Sequence, residues 1–205
     1  MKKRVLSAIL SLCMLIGLIG MIPVTAEEAT TEEWAQSAAT AFDGNGDGSS
    51  EENAYQIANA AQLAYFAKCV NSGTANNPYA SAHYKLTADI DLDGKLWAPI
   101  GSGDYANNVF TGVFDGNGHK ISNMEWDGKS YGQDQSSEAI GLFGVIGANV
   151  TIKNLAIVNA KIDTSKNAAG ILAGFWKVIN KNATANIQNV YVSGTITSTG
   201  NNVGG

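Results

Sequence analysis

Apolar residues follow three different rhythms along this chain, and each predicts a different kind of element. From Val5 to Ile22 they run almost without interruption. From Asn59 onward they recur at helical spacing, with Leu63, Phe66 and Val70 on one face of a 3.6-residue period. Asn59 with Gln62 three residues on makes an N-cap pair, and Asn71-Ser72-Gly73 supplies a stop, so one short amphipathic helix is predicted over about residues 60–70. Beyond it the period becomes two: Tyr84, Leu86, Ile90 and Leu92 alternate with polar neighbours, as the residues of a half-buried strand do.

The rest of the chain is punctuated by glycine and asparagine, with turn pairs such as Asp115-Gly116 and Asn117-Gly118 between short apolar runs. Within it lies an internal repeat of the form Ile-x-Asn-apolar-x-apolar. It begins at Ile121, Ile152 and Ile187, so that the starts lie 31 and 35 residues apart. Each copy is followed by a glycine-bearing run: Gly141-Leu142-Phe143-Gly144, Gly170-Ile171-Leu172-Ala173-Gly174, and Gly204-Gly205, where the third copy is cut. Ile152 and Leu155 differ in parity, so an uninterrupted strand would turn one of them outward. A corner at Asn154 flips the phase and buries both, and asparagine tolerates the left-handed backbone such corners need. Stacked repeats would place Asn123, Asn154 and Asn189 at equivalent corners with their amides bonded up the stack, a structural role. A bulge near Val158 or Asn159 would bring Ala160 and Ile162 back to the inside. The glycine runs, with Gly141, Gly144, Gly170, Gly174 and Gly204, are expected at a second corner where backbone approaches backbone.

The opening apolar run changes the picture of where the chain acts. Lys2, Lys3 and Arg4 precede it, and Val24-Thr25-Ala26 follows it with the small residues at which a signal peptide is cut, so residues 1–26 are read as a signal peptide removed after Ala26. An uncleaved anchor is the alternative, since the run approaches the roughly 20 residues that span a bilayer. Pro23 and the small-residue site favour removal. Residues 27–41 are acidic and short of core formers and are expected to be a flexible tail. The mature chain would carry ten lysines, no arginine and 18 acids, a net of −8. Binding to nucleic acid rests on neutralising phosphates with Lys and Arg, so this balance argues against it. After cleavage Cys69 is the one cysteine left, and no intrachain disulfide can form.

From Tyr55-Gln56-Ile57 through Tyr84-Lys85-Leu86-Thr87-Ala88-Asp89-Ile90-Asp91-Leu92, Trp97-Ala98-Pro99-Ile100-Gly101 and Phe110-Thr111-Gly112-Val113-Phe114-Asp115-Gly116-Asn117-Gly118 to Gly141-Leu142-Phe143-Gly144, the chain resembles the GLUG-motif proteins of bacterial, mainly Gram-positive, cell surfaces. The resemblance covers roughly residues 42–205. It implies a solenoid of parallel strands and an extracellular place, in adhesin-like proteins or beside the catalytic domain of immunoglobulin-A-cleaving metallopeptidases, and it implies no single activity. The expected architecture is therefore an all-β parallel β-solenoid with one short N-terminal capping helix. A cap region with the first strands is expected over 42–118, and the GLUG-type repeats over 119–205.

Candidate chemistry is sparse. Asp43, Asn45, Asp47 and Gly48 match the first half of a calcium loop, and Glu51 could ligate from position 9, but position 12 is Ala54 in place of the bidentate glutamate. Asp89, Asp91 and Asp93 share the spacing, yet Ile90 and Leu92 alternate as core, which turns those acids to solvent. No His-Glu-x-x-His zinc signature is present. Trp97, Phe110, Phe114 and Trp126 offer either core packing or a sugar-stacking face. The expected function is a non-enzymatic extracellular module for adhesion, display or spacing, without a cofactor, which meets an extracellular protein or glycan and no membrane once the signal is cleaved. The alternatives are the front of a carbohydrate-active β-helix enzyme or a non-catalytic region of a larger surface protease. The chain is expected to continue into further domains.

Overall fold

The computed structural model describes residues 33–72, 76–101, 108–127, 139–178 and 181–204. The expected signal peptide and residues 27–32 of the expected tail lie outside the described residues. Helix α1 (Ala60–Val70) forms where the periodicity places it. Asn59 Oδ1 accepts from the backbone of Gln62 at 3.0 Å while Gln62 Oε1 accepts from the backbone of Ala58 at 2.8 Å, so two otherwise orphaned donors are satisfied at the helix start. Leu63, Phe66 and Val70 are wholly buried. Asn71 ends the helix and ties it to the body, its amide donating to Pro99 O and its Oδ1 accepting from Gly101 N.

The strands stack in parallel, turn upon turn, into a β-solenoid of about three turns. One face stacks β1 (Tyr55–Ile57), β2 (His83–Leu86), β4 (Val113–Asp115), the first third of β9 (Val150–Thr164) and β12 (Ala185–Ser198). Through them Tyr55, Tyr84, Phe114, Ile152 and Ile187 form a single column. A second face stacks β3 (Ile90–Asp91), β5 (Lys120–Ser122) and the middle of β9, with Ile90, Ile121, Ile157 and Val192 in register. β6 (Glu125–Trp126) lies against the last part of β9. The glycine-bearing runs build the remaining walls, β7 (Ala139–Ile140) with β10 (Ala168–Gly170) and β13 (Asn202–Gly204), and β8 (Phe143–Ile146) with β11 (Ala173–Trp176).

β9 shows how one strand serves two corners. Val150 and Ile152 point inward, Asn154 at φ +53° flips the phase, and Leu155 and Ile157 point inward after it. Val158 and Asn159 then stand opposite a single residue of β12, Asn159 at φ +54°, and Ala160 and Ile162 return to the core. The extra residue is the bulge that the apolar phase required. Each buried aliphatic contributes about 1.5–3 kcal/mol relative to exposure, so keeping phase through both breaks outweighs the strain of two left-handed residues at about 1–2 kcal/mol each.

Helix α1 covers the N-terminal end of this interior: the Phe66 ring stacks on Tyr84 with centroids 3.8 Å apart and lies near Phe110 and Phe114. Two expectations are corrected here. The stretch from Glu33 to Ala41, expected to belong to a flexible tail, is docked on the body. Trp34 Nε1 donates to Leu92 O at 2.8 Å, the backbone N–H of Trp34 donates to Leu96 O, and that of Ala39 donates to Ala61 O. A large aromatic in an otherwise polar segment supplies the burial that its composition hides. The single column of corner asparagines is also corrected. Ile121 pairs with Ile157, whereas Ile152 pairs with Phe114, so the first copy of the repeat sits one corner further along than the other two. Among the described residues no helix is long and apolar enough to cross a membrane.

Candidate functional site

Several polar side chains that could do chemistry are engaged with the neighbouring turn. Two ladders replace the expected one. In the first, Asn189 Nδ2 donates to Asn154 Oδ1 at 3.1 Å, and Asn154 Nδ2 donates to Asp115 Oδ1 at 3.1 Å. In the second, Asn159 Nδ2 donates to Asn123 Oδ1, and Asn123 Nδ2 donates to Asp91 Oδ1 at 2.7 Å. Each ladder thus begins on an aspartate that also accepts from the backbone two residues on, Asn117 N for Asp115 and Asp93 N for Asp91. Those hydrogen bonds, the Asp93 amide first and the Asn123 amide next, hold the Asp91 carboxyl below its ordinary value.

Ion pairs run between turns beside the ladders. Lys153 Nζ lies 3.0 Å from Glu51 and 3.7 Å from Asp115, and Lys161 Nζ meets Glu125 at 2.6 Å. Glu51 raises the Lys153 ammonium and Glu125 raises that of Lys161. Asp89 accepts from Lys120 N at 3.2 Å and lies 3.2 Å from His119 Nδ1, and its carboxyl is held low chiefly by the first of these. The three acids Asp89, Asp91 and Asp93 are exposed while Ile90 and Leu92 are buried, as their alternation predicts.

The calcium-loop residues do not converge. Glu51 is drawn to Lys153, Asp47 Oδ1 accepts from both the backbone and the hydroxyl of Ser49, and Asp43 sits in a bridge to Gln56. The Ser49 hydroxyl, then its N–H, lowers the Asp47 carboxyl. Among the described residues no group of three His, Cys, Asp or Glu is placed to hold a metal ion. Gly44 at φ +66° and Gly48 at φ +74° show why the segment is glycine-rich: it is a left-handed turn.

The sugar-stacking alternative for Trp97, Phe110, Phe114 and Trp126 is corrected, since all four are buried. Trp97 Nε1 even donates to Leu142 O inside the core. Cys69 is free and buried, and burial pushes its thiol up, away from the thiolate a nucleophile needs. The expected glycine corner is present as two columns. Gly141, Gly170 and Gly204 are in register, and Gly144 stands over Gly174. The Lys153, Glu51 and Asp115 node was not found from sequence, because its members come from three distant segments and share no local spacing.

A cavity of about 450 Å³ opens at the last turn and is lined by Ile171, Leu172, Ile187, Val190, Val192 and the glycine column. None of its lining residues is titratable.

No family model matches the chain. It is 33% identical over 184 residues to halomucin of Haloquadratum walsbyi, a match covering 85% of this chain and 2% of that protein. It is 34% identical over 113 residues to a protein of Evansella cellulosilytica provisionally described as a Gly-rich membrane protein, over 52% of this chain and 11% of that one. Among solved structures it is similar to a Bacteroides ovatus protein provisionally described as an immunoglobulin A1 protease, with TM-score 0.53 and 29% identity, covering 75% of this chain and 40% of the other. The chain thus spans only a small part of the curated relatives it matches and less than half of the solved chain.

Proposed function

We propose that this chain is an architectural, non-enzymatic solenoid of a bacterial surface or secreted protein, serving adhesion, display or spacing. One observation carries this reading: among the described residues Asp91, Asp115, Glu51 and Glu125 and the corner asparagines are engaged in ladders and ion pairs between turns, while the cavity of about 450 Å³ at the last turn is lined by no titratable group. Acid–base chemistry on a polysaccharide needs a base, or two carboxylates, presented to the same cleft. The relatives, a halomucin and a Gly-rich membrane protein, support a place at the cell surface, and the GLUG resemblance points the same way. Export through residues 1–26 completes the proposal.

A non-catalytic region of a larger surface protease is the second reading, and the likeness to the Bacteroides ovatus protein favours it. The mature chain, incubated with cell-wall and plant polysaccharides and with immunoglobulin A, is expected to cleave none of them while binding cells or an extracellular-matrix or glycan surface. Depolymerisation of any polysaccharide would overturn the non-enzymatic reading. Retention inside the cell of a reporter fused behind residues 1–30 would overturn export.

A further inference from the structure

The tetrapeptide Asp-Gly-Asn-Gly occurs twice in the chain, at Asp43-Gly44-Asn45-Gly46 and at Asp115-Gly116-Asn117-Gly118. Each copy carries a latent reaction. Asparagine is among the chemically labile residues, and a glycine after it has no side chain to hinder its nitrogen from reaching the asparagine's side-chain carbonyl carbon. Both asparagines are exposed, so the fold around each copy decides whether the reaction proceeds.

The second copy is held on every side. The Gly118 N–H donates to Asn154 O at 2.9 Å, which occupies the would-be nucleophile, and Asn117 Nδ2, the would-be leaving group, donates to Leu86 O at 3.2 Å. Asn117 N donates to Asp115 Oδ1 and Gly116 N to Lys153 O, while the Asn117 backbone sits at φ +53°. The first copy is pinned only at its flanks, where Asp43 N donates to Gln56 O and, beyond it, Gly48 N donates to Asn53 O. Between these points, among the described residues, neither the Asn45 side chain nor the Gly46 N–H has a hydrogen-bond partner.

We propose that Asn45 is a site of spontaneous deamidation and that the solenoid protects the identical sequence at Asn117. The Gly46 nitrogen, its proton taken by hydroxide, bonds to Asn45 Cγ. The Cγ–Nδ2 bond breaks and ammonia leaves, so that residues 45 and 46 share a five-membered succinimide. Water then opens the ring. Addition at Cγ returns the main chain to its course with an aspartate at 45, and addition at the main-chain carbonyl carbon leaves isoaspartate, with the backbone routed through the side chain. Either product places a new carboxylate between Asp43 and Asp47. At Asn117 the same attack has to wait until the corner opens and Gly118 leaves Asn154 O, so the reaction is slowed by the cost of that local opening.

The test incubates the full chain in mildly alkaline buffer, folded and, in parallel, unfolded in guanidinium. Peptides spanning residues 43–48 and 115–120 are followed by the mass gained when an amide becomes an acid and by enzymatic methylation of isoaspartate. In the folded chain residue 45 is expected to convert at least about tenfold faster than residue 117, and in guanidinium the two rates should come within about threefold of each other. Asn45→Gln, whose longer side chain would have to close a six-membered ring, should silence the first peptide and leave the second unchanged. Equal rates in the folded chain would overturn the proposal, as would a folded chain in which residue 45 stays intact while the unfolded chain converts. A difference that persists undiminished in guanidinium would overturn it too, because Asp47 and His119, the residues that follow the two pairs, would then set the rates in place of the fold.

Discussion

The side-chain amide of Asn189 donates to the side-chain oxygen of Asn154, 3.1 Å away and 35 residues earlier in the chain. Asn154 passes the contact on to Asp115 while its own backbone sits at φ +53°, so one residue supplies both the corner and the link between three turns. Replacing it with alanine removes two hydrogen bonds at about 0.5–1.5 kcal/mol each and adds about 1–2 kcal/mol of left-handed strain. Asn154→Ala is therefore expected to lower stability by about 2–5 kcal/mol. Asn154→Gly relieves the strain and should fall by about half as much. Urea denaturation separates them, and equal losses would show that the ladder, not the corner, dominates.

The glycine column gives a sharper contrast. A Cβ on Gly141 would fall on the carbonyl oxygen of Gly170 and 2.9 Å from that of Phe143, both backbone atoms fixed by strand pairing. Gly204, at the top of the same column, has nothing within 4 Å. Gly141→Ala is expected to cost about 1–3 kcal/mol and Gly204→Ala less than about 0.5 kcal/mol. Thermal unfolding of the native chain and the two variants decides the point.

These two sites also show what the sequence makes legible. The helix, the phase flip at Asn154 and the bulge at Val158 and Asn159 are local consequences of apolar periodicity, and the structure has all three. The register between turns is different, because the intervening loops vary in length and the motif Ile-x-Asn occurs at two separate corners. Asn123 consequently stacks on Asn159 while Asn154 stacks on Asn189, a distinction that needs the coordinates of both turns. Composition misleads at Trp34, where one ring outweighs several acidic neighbours. Spacing at Asp43, Asn45, Asp47 and Glu51 gives no sign that Lys153, about a hundred residues away, pairs with Glu51, the acid at position 9.

Acid should loosen the turns before it exposes the core. Hydrogen bonds to the charged form hold the carboxyls of Asp47, Asp89 and Asp91 below their ordinary value of 3.8. A carboxyl lowered in the folded state adds stability above its unfolded pKa and loses it as the pH falls through the folded one. The thermal midpoint is thus expected to be level from about pH 7 to about pH 5 and to drop below about pH 4. Asp91→Asn keeps an oxygen for Asn123 and for the Asp93 amide but does not titrate, so its acid limb should be shallower. A limb of unchanged steepness would remove Asp91 from the account.

The docking of the segment from Glu33 to Ala41 rests on Trp34, whose indole N–H donates to Leu92 O at 2.8 Å and whose ring lies 4.9 Å below the Lys95 ammonium. The acceptor is the backbone carbonyl of wholly buried Leu92, just past β3, whose own N–H donates to Ser122 O, so the segment is fastened to a residue held by the core. Trp34→Ala loses the hydrogen bond, worth about 0.5–1.5 kcal/mol, and the cation–ring contact, worth about 0.5–1 kcal/mol when exposed. Trp34→Phe keeps the second and loses the first. Limited proteolysis is expected to cut between residues 33 and 41 fastest in Trp34→Ala, at an intermediate rate in Trp34→Phe and slowest in the native chain, with the region from Tyr55 onward intact in all three. If all three chains are cut in this segment at one rate, the anchor lies in the backbone bonds to Leu96 and Ala61, and the indole is incidental to it.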